Sequence, residues 1–274
     1  MSLLSRARFL VKHPLAAASY VVTRDRSHLE RARLMDLSGE GVPEIDDLVE
    51  YLQISLSEAV ANLSRGEEMV ASSFSEANPT TAEEMREWHR NCPEYLFDLV
   101  IWNIDPKYRT LLGMLRDESG GVCLSFGGGI GTEALRLAGQ GNEVWYCDVP
   151  DSPVWHFAQW RAERRDLPIR FTAEIPDDET FDCVVAFNVF SSMNESELPA
   201  IVERIVGAMR PGGHLYCSLD FVPRADHPNL QDHDRLWLDL VERLPLEEID
   251  ELRVPSTDPR QYVAVYVKQA ALAG

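Results

Sequence analysis

A glycine-rich turn between a strand-like run and a helix-like run is the most informative stretch of the sequence. It reads Cys123-Leu124-Ser125-Phe126-Gly127-Gly128-Gly129-Ile130-Gly131-Thr132. Glycines let the backbone turn sharply and bring its N–H groups close to a ligand, and the start of a helix adds the positive end of the helix dipole. The pattern predicts a bound polar group, although a glycine-rich loop alone is also compatible with a flexible turn.

Asp148 ends the next strand-like run, about 20 residues after the loop begins. A carboxylate at that strand end can accept hydrogen bonds from both hydroxyls of a ribose. Alone, Asp148 is also compatible with a cap of the turn at Pro150. The loop and the acid together favour a ligand that contains a nucleoside.

The glycine spacing separates two classes of nucleoside cofactor. Gly127, Gly129 and Gly131 fit G-x-G-x-G, whereas the dinucleotide fingerprint G-x-G-x-x-G requires glycine where Thr132 stands. A nicotinamide-dependent oxidoreductase is therefore disfavoured.

The elements that must position this loop change character near residues 117–121. Before that point the apolar spacing predicts helices, one over 46–61 and another beginning at Thr81. After it, short apolar runs alternate with helical stretches, which is typical of βαβ units and a mainly parallel sheet. The predicted strands are 121–126, 143–147, 169–173, 182–187 and 214–219, with helices at 132–138, 153–164 and 195–209. The chain then ends in a helix at 236–244, an extended stretch at 249–254 and a strand at 262–268.

Composition restricts the class of protein and its partners. The 274 residues carry a formal net charge of -19, with 45% hydrophobic and 26% charged residues, as in folded globular proteins. Because nucleic-acid binders usually present a basic face, the charge argues against a nucleic-acid substrate. No segment has the roughly 20 apolar residues of a membrane span, so no stable membrane insertion is expected.

The five cysteines match no metal or redox spacing, and four of them lie in predicted strands. We expect reduced core thiols, no metal site and a cytoplasmic location. Residues 6–33 form a basic arm, with seven Lys or Arg against Asp25 and Glu30. The arm is compatible with a solvated helical face or with an anionic surface, so a membrane-surface role stays open.

Several motifs in the right order resemble the class I, Rossmann-like family of S-adenosylmethionine-dependent methyltransferases, and the resemblance covers residues 121 to the C-terminus. It implies an α/β fold with a doubly wound, mostly parallel seven-stranded sheet and S-adenosyl-L-methionine as cofactor. It also implies that the glycine loop contacts the methionine part, that Asp148 binds the ribose and that Val149 lies on adenine. Glu174 and Ile175 match the family's pair beside the adenine, Asn188 ends the fourth strand near the cofactor, and Pro211-Gly212-Gly213 matches the turn before the fifth strand. The cofactor-binding residues expected on this basis are Ser125, Gly127, Gly128, Gly129, Gly131, Asp148, Val149, Glu174, Ile175 and Asn188.

Ser125 departs from the family pattern, since an acidic residue commonly stands two positions before the first glycine. A serine can bond a loop amide or water, but it supplies no negative charge to the ammonium of the cofactor. We therefore expect either weaker binding or an acid supplied from elsewhere. The predicted organisation is a helical segment over 1–115, acting as a lid and in acceptor recognition, followed by the cofactor domain over 116–274.

The acceptor site has no decodable motif. Candidate bases are His89, before the glycine loop, and Asp220, His227 and His233, after the fifth strand. Ligands of open α/β sheets lie beyond the carboxyl ends of the strands, which places Asp220 and the following loop near the acceptor, although each histidine is also compatible with plain surface exposure. An aromatic group just before the glycine loop could form an apolar wall or simply pack in the core. It comprises Trp88, Tyr95, Phe97 and Trp102.

The favoured function is methyl transfer to a small-molecule acceptor at oxygen, nitrogen or carbon. The alternative is a non-catalytic S-adenosylmethionine-binding protein with a regulatory or scaffolding role, since no base is obvious. Homodimer formation is left open by the sequence.

Overall fold

The computed structural model describes residues 43–224, 227–249, 252, 254–255 and 258–270. The basic arm at 6–33 lies outside the described residues. No helix in the described ranges is long and apolar enough to span a membrane.

A single twisted sheet organises the C-terminal half of the chain. Its strands are β1 (Val122–Phe126), β2 (Glu143–Cys147), β3 (Ile169–Thr172), β4 (Phe181–Phe187), β5 (Met209–Asp220), β6 (Leu246–Glu248), β7 (Val254–Pro255) and β8 (Gln261–Lys268). The order across the sheet is β3-β2-β1-β4-β5-β8-β6, and the two-residue β7 also pairs with β8. β1 to β5 are parallel and β8 is antiparallel to β5. The predicted mostly parallel sheet, seven strands wide, is thereby confirmed.

Helices cover both faces of this sheet. α7 (Thr132–Gly139) and α8 (Pro153–Arg164) lie on one face together with α6 (Pro106–Met114), and α9 (Leu198–Ala208) and α10 (Asp234–Arg243) lie on the other. The strands between them are buried on both sides, which explains their nearly continuous apolar sequence. Cys123, Cys147, Cys183 and Cys217 lie in these strands, and they and Cys92 are buried free thiols.

Five further helices precede α6. They are α1 (Pro43–Leu52), α2 (Leu56–Leu63), α3 (Gly66–Ala77), α4 (Ala82–Asn91) and α5 (Tyr95–Ile104). α1, α2 and α5 share a core with α8, and α3 packs with α4 around Trp88. The helix predicted to begin at Thr81 is confirmed, because Thr81 caps α4 in a reciprocal pair of hydrogen bonds with Glu84.

The predicted helix over 46–61 is wrong as one element, since the chain breaks between α1 and α2. Gln53 adopts a left-handed conformation, with φ of 54°, and Ser55 starts α2 in a capping box with Glu58. The helix predicted over 195–209 begins three residues later, at Leu198, with Pro199 in its first turn, where proline is tolerated.

The last predicted elements also shift. The extended stretch predicted over 249–254 is replaced by β6, which ends at Glu248, and by β7, which begins at Val254. The Pro211-Gly212-Gly213 turn is a bulge inside β5, because β4 pairs Phe181 with Met209 and then Cys183 with His214.

Candidate active site

A cavity of about 800 Å³ opens at the carboxyl ends of the parallel strands, beneath the N-terminal helices. The strand-edge wall is formed by residues that follow β1 to β4, namely Gly127, Gly129, Asp148, Val149, Glu174, Ile175 and Asn188. The helical wall is formed by α4 and α5, through His89, Tyr95, Asp98, Leu99 and Trp102. The segment after β5 closes a third side with Asp220, Arg224 and His227. Ligands of open α/β sheets bind in such a position.

The glycine loop has a backbone that other residues would not adopt easily. Gly127 has φ of 61°, and a Cβ built on it would lie 2.3 Å from Cγ2 of Val189. Gly129 has φ of 49°, and Leu99 Cδ1 would lie 3.2 Å from its Cβ. These glycines therefore keep the loop close to its neighbours and leave its inner surface open to a ligand.

Asp148 joins the loop to β2. Its Oδ2 accepts from the Gly129 amide at 2.7 Å, and its Oδ1 accepts from the Val149 amide at 2.7 Å. Burial raises the pKa of Asp148 to about 6, while these two amide hydrogen bonds act in the opposite direction. The carboxylate also faces the cavity, so its remaining lone pairs can accept from ribose hydroxyls.

The far end of the strand-edge wall combines apolar and polar groups. Ile175 is buried and Val149 is half-buried, and both line the cavity, which suits a flat base such as adenine. The Glu174 carboxylate is exposed and lies 3.8 Å from Arg204. Asn188 has φ of 56°, and its Oδ1 accepts from the Ser218 hydroxyl at 2.7 Å, which fixes the side chain at the end of β4.

Three of the expected cofactor residues lie behind the cavity wall. Ser125 is buried in β1, and its Oγ has no hydrogen-bond partner among the described residues. A Cβ on Gly128 would meet the Tyr146 ring at 2.6 Å, and one on Gly131 would meet Ala158 at 3.0 Å. These positions hold the loop against β2 and α8 and are not part of the cavity lining.

A buried arginine ties the glycine loop to the N-terminal helices. Arg161 of α8 donates to the Ile130 carbonyl at 2.8 Å and to Thr132 Oγ1 at 2.9 Å. Its Nε donates to Asp47 of α1 at 2.8 Å, and Glu44 of α1 lies 3.7 Å away. Thr132, where the dinucleotide fingerprint would place glycine, therefore has a role of its own as a hydrogen-bond acceptor for Arg161.

The aromatic group predicted before the glycine loop divides between two roles. Tyr95 and Trp102 line the cavity. Trp88 is buried, packs edge-on against Phe74 and donates to Ser73 Oγ at 3.1 Å, whereas Phe97 packs in the core shared with α8. Core packing and a cavity wall are thus both present.

The candidate bases differ in the hydrogen bonds and ion pairs that they form with other residues. His89 lines the cavity without a hydrogen bond to any described residue, and burial lowers its pKa to about 4, so the ring is neutral at pH 7. Asp220 accepts from Arg224 at 2.8 Å and from Gln261 at 2.9 Å. His227 lies 3.4 Å from Glu67. His233 is buried with its Nε2 3.0 Å from the Met193 carbonyl, and it does not line the cavity.

Two residues of the site, Tyr146 and Asp98, are not predicted by the sequence analysis. The Tyr146 hydroxyl donates to the Gly129 carbonyl at 2.6 Å and so fixes the loop from below. Asp98 lines the helical wall, and burial raises its pKa to about 6. The signal for Asp98 is present in the sequence, because it is the sole charged residue in the apolar helix from Tyr95 to Ile104.

Comparisons with known proteins agree with this geometry. Residues 124–215 match a family model described as a methyltransferase domain. The 1,6-didemethyltoxoflavin-N1-methyltransferase of Burkholderia thailandensis, solved with 1,6-didemethyltoxoflavin and S-adenosylhomocysteine, is similar in fold. Its TM-score is 0.55 at 20% identity, over 70% of this chain and 92% of that chain. The N-methyltransferase NodS of Bradyrhizobium japonicum WM9, in complex with S-adenosylhomocysteine, is also similar in fold. Its TM-score is 0.54 at 16% identity, over 70% of this chain and 100% of that chain. No curated protein matches the chain.

At these identities the likeness to solved structures establishes the fold, and the family model identifies the domain. Residues 124–215 thus match a methyltransferase domain, and the fold is that of the Rossmann-like methyltransferases just compared.

Proposed function

We propose that the protein transfers the methyl group of S-adenosylmethionine to a small-molecule acceptor that binds between the two walls of the cavity. The observation that carries the proposal is the continuity of the cavity, which reaches from Asp148 and Ile175 to Asp98 and His227. Its volume of about 800 Å³ lies within the range of small-molecule sites, and its lining continues from Asp148 to residues of the helical wall.

The cavity residues fit the cofactor. Asp148 offers carboxylate oxygens to a ribose, Val149 and Ile175 offer apolar surface to adenine, and the open side of Gly127 and Gly129 admits the methionine chain. When bound, the cofactor supplies a methyl group on a positively charged sulfur, from which it transfers in line to a nucleophilic atom. The chain contributes orientation and exclusion of water, so no nucleophilic triad is needed.

The helices before β1 complete the proposed site. We propose that residues 1–115 act as a lid and in acceptor recognition, while residues 116–274 hold the cofactor. His89, Tyr95 and Trp102 support the first role, since they bring side chains of this segment to the cavity.

Calorimetric titration with S-adenosylmethionine and, separately, with NAD tests the cofactor assignment. We expect micromolar binding of the first and none of NAD, followed by methyl transfer from radiolabelled cofactor in a screen of small acceptors that includes amines, phenols and acidic carbon compounds. Tight cofactor binding without turnover of any acceptor would favour a non-catalytic binding protein. Binding of NAD alone would refute the proposal.

A further inference from the structure

The wall facing the strand edge carries a carboxylate without a partner. Within the described residues, the Asp98 carboxylate accepts no hydrogen bond and forms no ion pair within 4 Å. The described arginines of the cavity wall are all paired with carboxylates: Arg86 with Glu83 and Glu197, Arg90 with Glu83 and Glu87, Arg204 with Glu174 and Asp177, and Arg224 with Asp220. Asp98 therefore stands out as an anion open to a ligand.

The position of Asp98 follows from the face of α5 on which it lies. Tyr95, Asp98, Leu99 and Trp102 follow helical spacing and all line the cavity. Leu99 reaches the loop at Gly129, and the Tyr95 phenol lies within the electrostatic reach of both Asp98 and Asp148. On its other side, Asp98 interacts electrostatically with His227 and Glu67. Asp98 thus lies between the ribose end of the cavity and the segment that follows β5.

The neighbouring polar groups are also free for a ligand. The Tyr95 hydroxyl and the His89 ring belong to half-buried residues of the cavity wall, and neither forms a hydrogen bond with a described residue. Polar groups that line a cavity without protein partners can form hydrogen bonds with a ligand there. Three such groups on one wall, two neutral and one acidic, indicate a ligand that brings hydrogen-bond donors or positive charge.

We propose that the acceptor is an amine or another N–H compound, and that the Asp98 carboxylate holds the reacting nitrogen at the point of methyl transfer. This inference rests on the proposed function and assigns its substrate class. Phenolate, thiolate and carbanion nucleophiles carry a negative charge before the transfer, and a carboxylate beside the reacting atom destabilises that charge. It stabilises the positive charge that develops on nitrogen.

The charge balance of this step is simple. The neutral nitrogen donates its lone pair to the methyl carbon, the carbon–sulfur bond breaks, and its electron pair stays on sulfur as a neutral thioether. The nitrogen, now methylated and positively charged, gives its proton to the Asp98 carboxylate. Asp98 becomes a carboxylic acid and returns the proton to water when the product leaves.

Sinefungin tests this placement, because it carries an amine at the position of the transferable methyl group. In the unmodified protein we expect sinefungin to bind about tenfold tighter than S-adenosylhomocysteine by calorimetry. In Asp98→Asn that preference falls to less than threefold, while the affinity for S-adenosylhomocysteine stays within threefold. Asp117→Asn, an exposed aspartate outside the cavity, keeps the preference. Asp98→Ser provides a second variant, and thermal melting reports whether each variant is folded.

Two results would overturn the proposal. One is equal binding of sinefungin and S-adenosylhomocysteine by the unmodified protein, which needs no variant. The other is loss of S-adenosylhomocysteine affinity in Asp98→Asn while 5′-methylthioadenosine, which lacks the amino-acid part, binds as before. That result would assign Asp98 to the α-ammonium of the cofactor. Failure of the unmodified protein to bind S-adenosylhomocysteine at all would instead refute the proposed function itself, and this inference with it.

Discussion

The two walls of the cavity are built from different chemistry. The strand-edge wall uses backbone groups and short loops, since the Gly129 amide, the Asp148 carboxylate and the fixed Asn188 side chain lie at strand ends. The helical wall uses side chains on regular helices, with Asp98 and Tyr95 on one face of α5. A backbone site restricts residue types at fixed spacings, whereas a side-chain site can vary as long as the helix packs. This difference explains why the sequence contains motifs for one wall and none for the other.

Breaking the connection between the two walls has the largest expected effect. Arg161→Met removes a cation that is 2% exposed and leaves Asp47 and Glu44 buried with fewer partners. We expect the free energy of unfolding in urea to fall by about 3 kcal/mol. Arg164→Met, whose arginine is 45% exposed, serves as the control, and we expect a change below about 1 kcal/mol. Equal effects of the two variants would contradict a buried link.

Within the strand-edge wall, Asp148 matters most for the cofactor. Asp148→Ala removes the proposed ribose acceptor and the partner of the Gly129 amide. S-adenosylhomocysteine should bind about 30-fold more weakly, which corresponds to about 2 kcal/mol. Calorimetry on this variant and on Asp117→Ala, which should bind normally, checks the expectation. Unchanged affinity in Asp148→Ala would remove Asp148 from the cofactor site.

The glycines of the loop should tolerate substitution less well than glycines elsewhere in the chain. Gly127→Ala places a Cβ against Val189 at positive φ, so we expect about 1.5 kcal/mol lower stability together with weaker cofactor binding. Gly139→Ala is the matched control, because no atom lies within 4 Å of its Cβ position. In an α-helix that change should be neutral or slightly stabilising. If both variants behave alike in urea unfolding, the loop is less constrained than its geometry implies.

The pH dependence of cofactor binding should report Asp148 as well. In the folded chain the pKa of Asp148 is raised from about 3.8 to about 6, so the fold favours the protonated carboxyl. This group therefore contributes to the stability of the unliganded fold below about pH 3.8, and the contribution is lost as the pH rises through about 6. Binding has the opposite sign, because ribose hydroxyls donate to the ionised form. We expect about tenfold weaker binding of S-adenosylhomocysteine at pH 5 than at pH 7, with proton release near pH 6. Proton uptake in buffers of different ionisation enthalpy would contradict the assignment.

Substitutions in the helical wall should change cofactor affinity little where no contact with the cofactor is expected. Tyr95→Phe removes a hydroxyl without a hydrogen bond to a described residue, so we expect S-adenosylhomocysteine affinity to change less than about threefold. The free energy of unfolding should change by less than about 0.5 kcal/mol, since Tyr95 is half-buried and its hydroxyl has no partner to lose. A tenfold loss of cofactor affinity would show that the two walls share the cofactor.

Much of the fold could be predicted because parallel strands and glycine loops have local sequence signatures. The strands β1 to β4 fall within a residue of the predicted ranges, and the order of helices between them is as expected. The break at Gln53 does not follow from apolar spacing, which continues across it, although Ser55 and Glu58 have the spacing of a capping box. The sequence of Pro211-Gly212-Gly213 predicts a turn, but pairing with β4 on both sides makes the segment a bulge, and that pairing depends on the assembled sheet.

The candidate site could be predicted only in part, because local sequence signatures mark the ends of strands but not the packing of helices against them. Gly127, Gly129, Asp148 and Asn188 follow strands in a fixed order, so their convergence at one sheet edge could be anticipated. Asp98 and Tyr146 could not be assigned in this way, since their roles depend on which helix face and which loop lie opposite them. A lone acid in an apolar helix is nevertheless a usable signal for such residues.

The link through Arg161 has a consequence for any attempt to change the acceptor by exchanging helices. A chimera that replaces the segment before β1 with that of another methyltransferase would remove Glu44 and Asp47, the carboxylates that neutralise this arginine beneath Ile130 and Thr132. Transplanted helices would therefore need an acid at an equivalent place in their first helix, or a simultaneous replacement at position 161. Arg161 therefore couples the placement of the helices before β1 to the geometry of the glycine loop, and a redesign of either part must keep its charge neutralised.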